Sequence, residues 1–407
     1  MKEINGGVCS PKGFRAGGIW CGIKSKSQKR DLALIYSEKP CAAAAMFTTN
    51  KVKAASVLVS QEHISGGVLH AVIANSGNAN ACTGGDGMAA ARKMAELASD
   101  LFAISPRHVA VASTGVIGKP FPIAAIESGI EALGNSLRGD EAGHTAALEA
   151  IMTTDIHKKD GAFEIEIDGV PIHIGGMVKG SGMIHPNMAT MLCFITTDAA
   201  ISNEVLDTCL RSAVRRSFHR VSVDGDTSTN DMILVMANGQ AGNTPIAGGS
   251  AACDIFCQAL EALCVKLARA MARDGEGATK LVTVTVSGSS DEDSAETLAK
   301  AVVSSSLVKA ACFGADANWG RVLCAMGYSG AAFNPAEVDV GFASGGEEII
   351  VCRGGASVAF SEDDAKRILS REEIEIRVKA GAGTGSATAW GCDLTYDYVK
   401  INGDYRS

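Results

Sequence analysis

Between Lys179 and Leu192 a single threonine, Thr190, stands at the join between a turn-forming segment and an apolar run. Gly180 and Gly182 open backbone conformations closed to other residues, Pro186 fixes φ, and Asn187 tolerates turn geometry. Beyond the threonine, Met191-Leu192-Cys193-Phe194-Ile195 reads as a core strand. The chain is therefore confined here to a tight bend that ends in a hydroxyl at the mouth of a strand.

A threonine hydroxyl is a poor nucleophile at neutral pH unless a base lies within hydrogen-bond reach. One such base is the free α-amine of the same residue. That amine exists only if the Ala189-Thr190 bond breaks. Attack of Thr190 Oγ on the Ala189 carbonyl, an N-to-O acyl shift and hydrolysis of the ester would free it. With an ordinary pKa of about 7.7 to 8.0, a useful fraction of the amine is then neutral. The plain alternative is a threonine that merely begins a strand.

Patterning supports a mixed α/β chain. Phe163 to Ile167 alternates strictly, Asp168-Gly169 makes a turn, and Val170 to Ile174 returns, which predicts a β-hairpin. A helix is predicted from about Ser202, with Val205, Cys209, Leu210, Ala213 and Val214 on one face. Another is predicted over Cys253 to Met271 and a third from about Ser361. Leu281 to Val286 and Glu373 to Val378 read as strands, as does Thr388 to Tyr396. Gly381 to Gly385 has the flavour of a dinucleotide loop, but a strand rather than a helix follows it, so it reads as a bend. Gly115 to Lys119 lacks Walker A spacing. Ser113-Thr114-Gly115 taken alone is an ordinary loop, and His185 an ordinary turn histidine.

Across 407 residues, 46% hydrophobic and 20% charged is a globular balance long enough for two domains or one large α/β body. No apolar run approaches the 18 or more residues of a membrane span, and the start lacks a signal-peptide apolar region, so a soluble, cytoplasmic protein is expected. The net charge of -8 argues against nucleic acid as a partner. The basic cluster Lys24 to Arg30 reads as a solvated loop. Cys253 and Cys257, four apart, lack a second Cys or His pair nearby and read as buried reduced thiols, with no metal site.

Several ordered blocks carry a resemblance that runs through nearly the whole chain. They are Gly13 to Gly18, Ala74 to Ala81, Ala112 to Gly118, Lys179 to Leu192, Ser222 to Asp231, Asp274 to Lys280 and Ala389 to Thr395. Together they resemble the bacterial ornithine acetyltransferase family, the bifunctional glutamate N-acetyltransferases of arginine biosynthesis. One departure is the run Ile156-His157-Lys158-Lys159 after Thr153-Thr154-Asp155, where the family pattern carries a threonine-proline pairing.

The resemblance implies an α/β fold of stacked β-sheets sandwiched by helices. It also implies autocatalytic cleavage into an α chain of residues 1–189 and a β chain of 190–407, assembled as an α2β2 heterotetramer. It makes Thr190 the nucleophile and Thr114 with Gly115 the oxyanion hole. Substrate binding falls on Thr153, Lys179, Thr190, Glu276, Asn402 and Ser407. The implied reaction moves acetyl from N2-acetylornithine to glutamate through acetyl-Thr190, with acetyl-CoA as a possible co-substrate and no cofactor. The rival readings are a self-cleaving amidohydrolase or aminopeptidase of related architecture, in which water resolves the acyl-enzyme, and a binding protein with an intact chain.

Overall fold

The computed structural model describes residues 1–185 and 191–404. The chain sorts into two compact units interleaved along the sequence. Met1–Gly180, Asn187–Arg216 and Thr227–Leu267 form the first, and Ser181–Pro186, Ser217–Asp226 and Ala268–Ser407 the second. Ala189, Thr190 and Ser407 lie outside the described residues.

In the first unit the strands are β1 (Lys2–Ile4), β2 (Phe14–Ile19), β3 (Leu32–Phe47), β4 (Val68–Asn78), β5 (Val109–Val116), β6 (Asp160–Ile167), β7 (Val170–Lys179), β8 (Leu192–Thr197) and β10 (Met232–Ala237). They form one nine-stranded sheet in the order β1-β6-β7-β8-β10-β3-β4-β5, with β2 paired to β3. Its central strands are apolar on both faces. Leu32, Leu34, Ala71, Ile73, Val109 and Val111 enter one core, while Ala33, Ile35, Val72, Ala74, Ala110 and Ala112 enter another. Side chains alternate across a strand, so this pattern requires a cover on each face. The helices Ala55–Ile64, Gly84–Asp100 and Ile123–Asn135 supply one and Glu141–Ile151 contributes to the other.

The predicted hairpin is β6 and β7, antiparallel with Ile167 opposite Val170. Asp168 and Gly169 both adopt positive φ, at 51° and 78°, as a two-residue turn of matching twist requires. β8 then pairs with β7 on one side and β10 on the other, which sets Lys179, Leu192 and Met232 in register.

In the second unit β9 (Val221–Ser222), β11 (Leu281–Ser289), β12 (Asp339–Ser344), β13 (Glu347–Arg353), β14 (Ala356–Ser357), β15 (Glu373–Lys379) and β16 (Gly385–Cys392) form a seven-stranded sheet. Val282, Val284, Val286, Ile374, Ile376 and Val378 enter its core beside Leu298, Val302 and Val303 of the helix Glu292–Ser304. The architecture is thus mixed α/β with two sheets flanked by helices, as expected.

Local differences have physical causes. The helix Asn203–Arg215 is capped by Ser202 and buries Cys209, Leu210, Ala213 and Val214 as expected, but at the start of the stripe Leu206 is buried and Val205 is half-exposed. The predicted strand Thr388 to Tyr396 ends at Cys392, because Thr395 accepts the Tyr398 N–H and caps the helix Tyr396–Gly403. Ser113-Thr114-Gly115 is not a loop but the end of β5. Cys257 is not a reduced thiol: it is half-buried and bonded to Cys209, which lies 48 positions earlier on another helix of the same unit. Cys253 is a buried free thiol, as expected. Among the described residues no helix is long and apolar enough to cross a membrane.

Candidate active site

β4 and β5 run parallel, with Ser76 opposite Thr114 and Gly77 opposite Gly115. This places Thr114 and Gly115 where β5 ends. Gly115 has a φ of 131°, and a Cβ there would lie 2.4 Å from the carbonyl carbon of Gly77. Both its conformation and its closeness to the neighbouring backbone therefore demand glycine. Asn230 fastens the strand end by donating to the carbonyls of Ser113 at 2.7 Å and Ala79 at 2.6 Å.

Lys179 closes β7, and its Nζ donates to Thr114 Oγ1 at 3.2 Å. Each residue is only 2% exposed, so this contact is shielded from water. A hydroxyl that accepts from an ammonium keeps its own proton to donate in another direction. The pair is therefore a polarised O–H donor beside a cation.

A buried carboxylate balances that cation. Asp155 Oδ1 accepts from Lys159 Nζ at 2.6 Å and from the Gly180 N–H at 2.8 Å, and Oδ2 accepts from the Thr153 N–H at 2.9 Å. Burial pushes the Asp155 carboxyl up, but Lys179 and Lys159 outweigh it and hold the group well below the usual carboxylate range. One side chain thus ties Thr153, Lys159 and Gly180 together. The departure from the family pattern at 156–159 leaves this knot formed, since Lys159 is one of its members.

Lys24 stands apart from the solvated loop expected of residues 24–30. It is half-buried, and Nζ donates to the Met152 carbonyl at 2.7 Å. Burial lowers its pKa to about 8, against the pull of Asp31, and Lys179 lowers it further. Lys24, Lys159 and Lys179 therefore share this locality with the carboxylates of Asp31 and Asp155.

Met191, the first described residue after Thr190, donates its N–H to Asp231 Oδ1 at 3.0 Å. Asp231 is fully buried, and its Oδ2 has no hydrogen-bond partner among the described residues. Burial raises its pKa to about 8, against the Met191 N–H that favours the charged form.

The second unit gathers the other half of the expected set. Glu276 is buried and its Oε2 accepts from Asn402 Nδ2 at 2.8 Å. A Cβ on Gly182 would lie 2.3 Å from the same Oε2, so glycine makes room for the carboxylate. The segment Ser181 to Ile184 is pinned as well. Ser181 Oγ donates to the Asp274 carbonyl at 2.6 Å, and Asp224 accepts the N–H groups of Met183 and Ile184 at 2.6 and 2.7 Å. Tyr398 donates its hydroxyl to Asp224 at 3.1 Å, and burial first and Asp224 second push that phenol up. His185 Nδ1 faces Ser222 Oγ at 3.2 Å, and burial lowers the pKa of the ring.

The structure thus joins Thr114, Gly115, Lys179 and Thr153 in the first unit, and Glu276 and Asn402 in the second. Thr190 and Ser407 fall outside the described residues. Asp155, Lys159, Asp224 and Asp231 were not singled out from the sequence. For Asp224 and Asp231 the signal was an acidic residue set against glycine or an apolar strand, as in Asn230-Asp231-Met232-Ile233.

The ArgJ family matches residues 15–407. The chain belongs to the ArgJ family. An arginine biosynthesis bifunctional protein ArgJ of Symbiobacterium thermophilum is 53% identical over 408 residues, covering all of both chains. The ArgJ 1 protein of Clostridium acetobutylicum is 50% identical over 394 residues, covering 97% of this chain and 96% of its own. A crystal structure of the bifunctional protein argJ of Bacillus halodurans is 44% identical with a TM-score of 0.50, covering 52% of this chain and 97% of its own.

Proposed function

We propose that this ArgJ-family enzyme moves an acetyl group from N2-acetylornithine to glutamate through an acetyl ester on Thr190, after cutting its own chain between Ala189 and Thr190. The observation that carries the reading is the buried Lys179 to Thr114 hydrogen bond beside Gly115. It supplies an O–H donor, a cation and a glycine N–H at one place, which is what a developing oxyanion needs.

In the first step Thr190 Oγ attacks the Ala189 carbonyl, the peptide nitrogen leaves as the Thr190 amine, and water hydrolyses the ester. Residues flanking the bond are held hard. Asp224 and the Asp274 carbonyl anchor Ser181 to Ile184, and Asp231 anchors Met191. Such anchoring suits a reaction whose rate depends on placing one hydroxyl against one carbonyl. The Bacillus halodurans chain matches 52% of this one yet is covered over 97% of its own length, a size that suits one fragment of a cut precursor.

In the second step the Thr190 amine takes the hydroxyl proton as Oγ attacks the acetyl carbon. Thr114 and Gly115 stabilise the oxyanion. Collapse expels the α-amine of ornithine, which receives the proton and leaves acetyl-Thr190. Glutamate then attacks through its α-amine and restores the free threonine. The Lys179 ammonium suits a substrate carboxylate, and the Glu276 carboxylate suits an ornithine ammonium. Acetyl-CoA enters the same scheme as a second donor to Thr190. An α2β2 assembly in the cytoplasm belongs to the same reading.

Isotope exchange tests it. Labelled ornithine incubated with unlabelled N2-acetylornithine and enzyme, with no glutamate, is expected to acquire acetyl as the acetyl-enzyme forms and reverts. Release of acetate without exchange would instead mean that water resolves the intermediate, and the activity would be that of an amidohydrolase.

A further inference from the structure

Three sulfur atoms of the first unit, none of them assigned a part in the candidate site, converge. Cys209 lies on the buried stripe of the helix Asn203–Arg215. Cys253 and Cys257 lie on the helix Ala251–Arg273, and their spacing of four sets them on one face. The three Sγ atoms lie within 4.8 Å of one another. Cys209 and Cys257 are joined as a disulfide, and the Cys253 thiol stands 3.8 Å from Cys209 Sγ and 4.0 Å from Cys257 Sγ.

A disulfide needs two sulfurs, and nothing in its chemistry requires a third beside both. A thiolate metal centre does require it. With metal–sulfur bonds of about 2.3 Å, the sulfur–sulfur edges are about 3.8 Å at tetrahedral angles and about 4.0 Å in a trigonal plane. The two edges that meet at Cys253 already have those lengths. The third edge is the Cys209–Cys257 bond itself, whose Cα atoms are 5.1 Å apart.

We propose that, once the Cys209–Cys257 bond is reduced, Cys209, Cys253 and Cys257 bind one Zn2+ through three thiolates. Solvent, which reaches the half-buried Cys257, supplies the fourth ligand. Thiolate donors favour this cation over magnesium or calcium, and a closed d10 shell imposes no geometry of its own. The chemistry balances with a phosphine as reductant. The phosphine attacks one sulfur, the S–S bond breaks, and water converts the adduct to phosphine oxide and two thiols. The three thiols then release three protons to solvent as three zinc–sulfur bonds form. A sulfur held in a disulfide has no lone charge to offer, so the oxidised and metal-bound states exclude one another.

The test is an anaerobic titration of the full-length protein, reduced with a water-soluble phosphine and desalted. Cd2+ is the spectroscopic probe and Zn2+ its competitor. One Cd2+ per chain is expected, with a thiolate charge-transfer band that Zn2+ abolishes, and X-ray absorption of the zinc form is expected to count three sulfurs. Cys253→Ser should weaken Cd2+ at least tenfold while leaving the far-ultraviolet circular dichroism unchanged. Cys257→Ser, at a half-buried position, gives the same test should the first variant not fold. Other free thiols exist, Cys82 and Cys324 among them exposed, so binding that survives Cys253→Ser undiminished would place the metal elsewhere and overturn the proposal. So would the absence of a band in reduced protein, a count of two sulfurs, or equal binding by the oxidised form.

Discussion

Lys179 Nζ sits 3.2 Å from Thr114 Oγ1, donating a hydrogen bond in a place almost closed to solvent. Thr114→Val keeps the shape and removes the hydroxyl. It is expected to lower kcat about 10²–10³-fold, the range for loss of one oxyanion donor. Thr114→Ser should retain most activity. Steady-state rates of both variants, with circular dichroism to confirm folding, check this.

Gly115 has no room for a side chain, since its φ is 131° and a Cβ would meet Gly77 backbone at 2.4 Å. Gly115→Ala must shift β4 or β5 and with it the Thr114 hydroxyl. Activity is expected to fall on the order of 10²-fold or more. Retention of wild-type kcat by Gly115→Ala would remove this position from the oxyanion role.

Asp155 and Asp231 should bend the stability curve in opposite directions. The Asp155 carboxyl is held below its ordinary pKa of about 3.9, so its contribution is complete above that value and is lost as pH falls toward its folded pKa. Asp155→Asn removes the negative charge that Lys159 Nζ meets at 2.6 Å inside the fold. It is expected to cost about 3–5 kcal/mol at neutral pH, read by urea unfolding.

Asp231 is shifted the other way, to about 8. Between about 4 and about 8 the folded state keeps a proton that the unfolded chain releases. Stability therefore falls as pH rises through that window, by at most ~1.4 kcal/mol per pH unit. Asp231→Asn can still accept the Met191 N–H and is expected to flatten that slope. Unfolding free energies of both proteins at pH 5, 6 and 7 give the comparison.

In the second unit, Gly182→Ala sets a Cβ against the Glu276 carboxylate and should displace it from Asn402. The expected result is a rise in KM for N2-acetylornithine on the order of tenfold, the scale of one hydrogen bond to a charged group. Asn402→Ala should raise KM similarly. Unchanged KM in both variants would argue that Glu276 does not meet the substrate.

Much of the local structure was legible because period and turn chemistry act over short range. The β6–β7 hairpin and the Ser202 and Ser361 caps rest on contacts within a few residues, and the strands at 281 and 373 show in their own alternation although they pair with each other across 92 positions. The ordered sequence blocks named the candidate residues. They did not reveal Asp155, which works by reaching Lys159, Thr153 and Gly180 at once. Nor did they reveal that Cys209 meets Cys257 across 48 positions, because no local pattern reports which helices pack side by side. The burial of Lys24 was hidden for the same reason: a basic run looks solvated until Met152 supplies an acceptor.

The central claim is a threonine that frees its own amine and then carries an acetyl group. Intact mass of the freshly purified protein, before and after incubation with N2-acetylornithine, tests both parts. From a chain of 407 residues and 41.9 kDa, cleavage at Ala189-Thr190 should give fragments of about 19 and about 22 kDa in proportion to length. The larger should gain one acetyl group on incubation and lose it when glutamate is added. A full-length chain that never acquires acetyl would contradict the threonine mechanism.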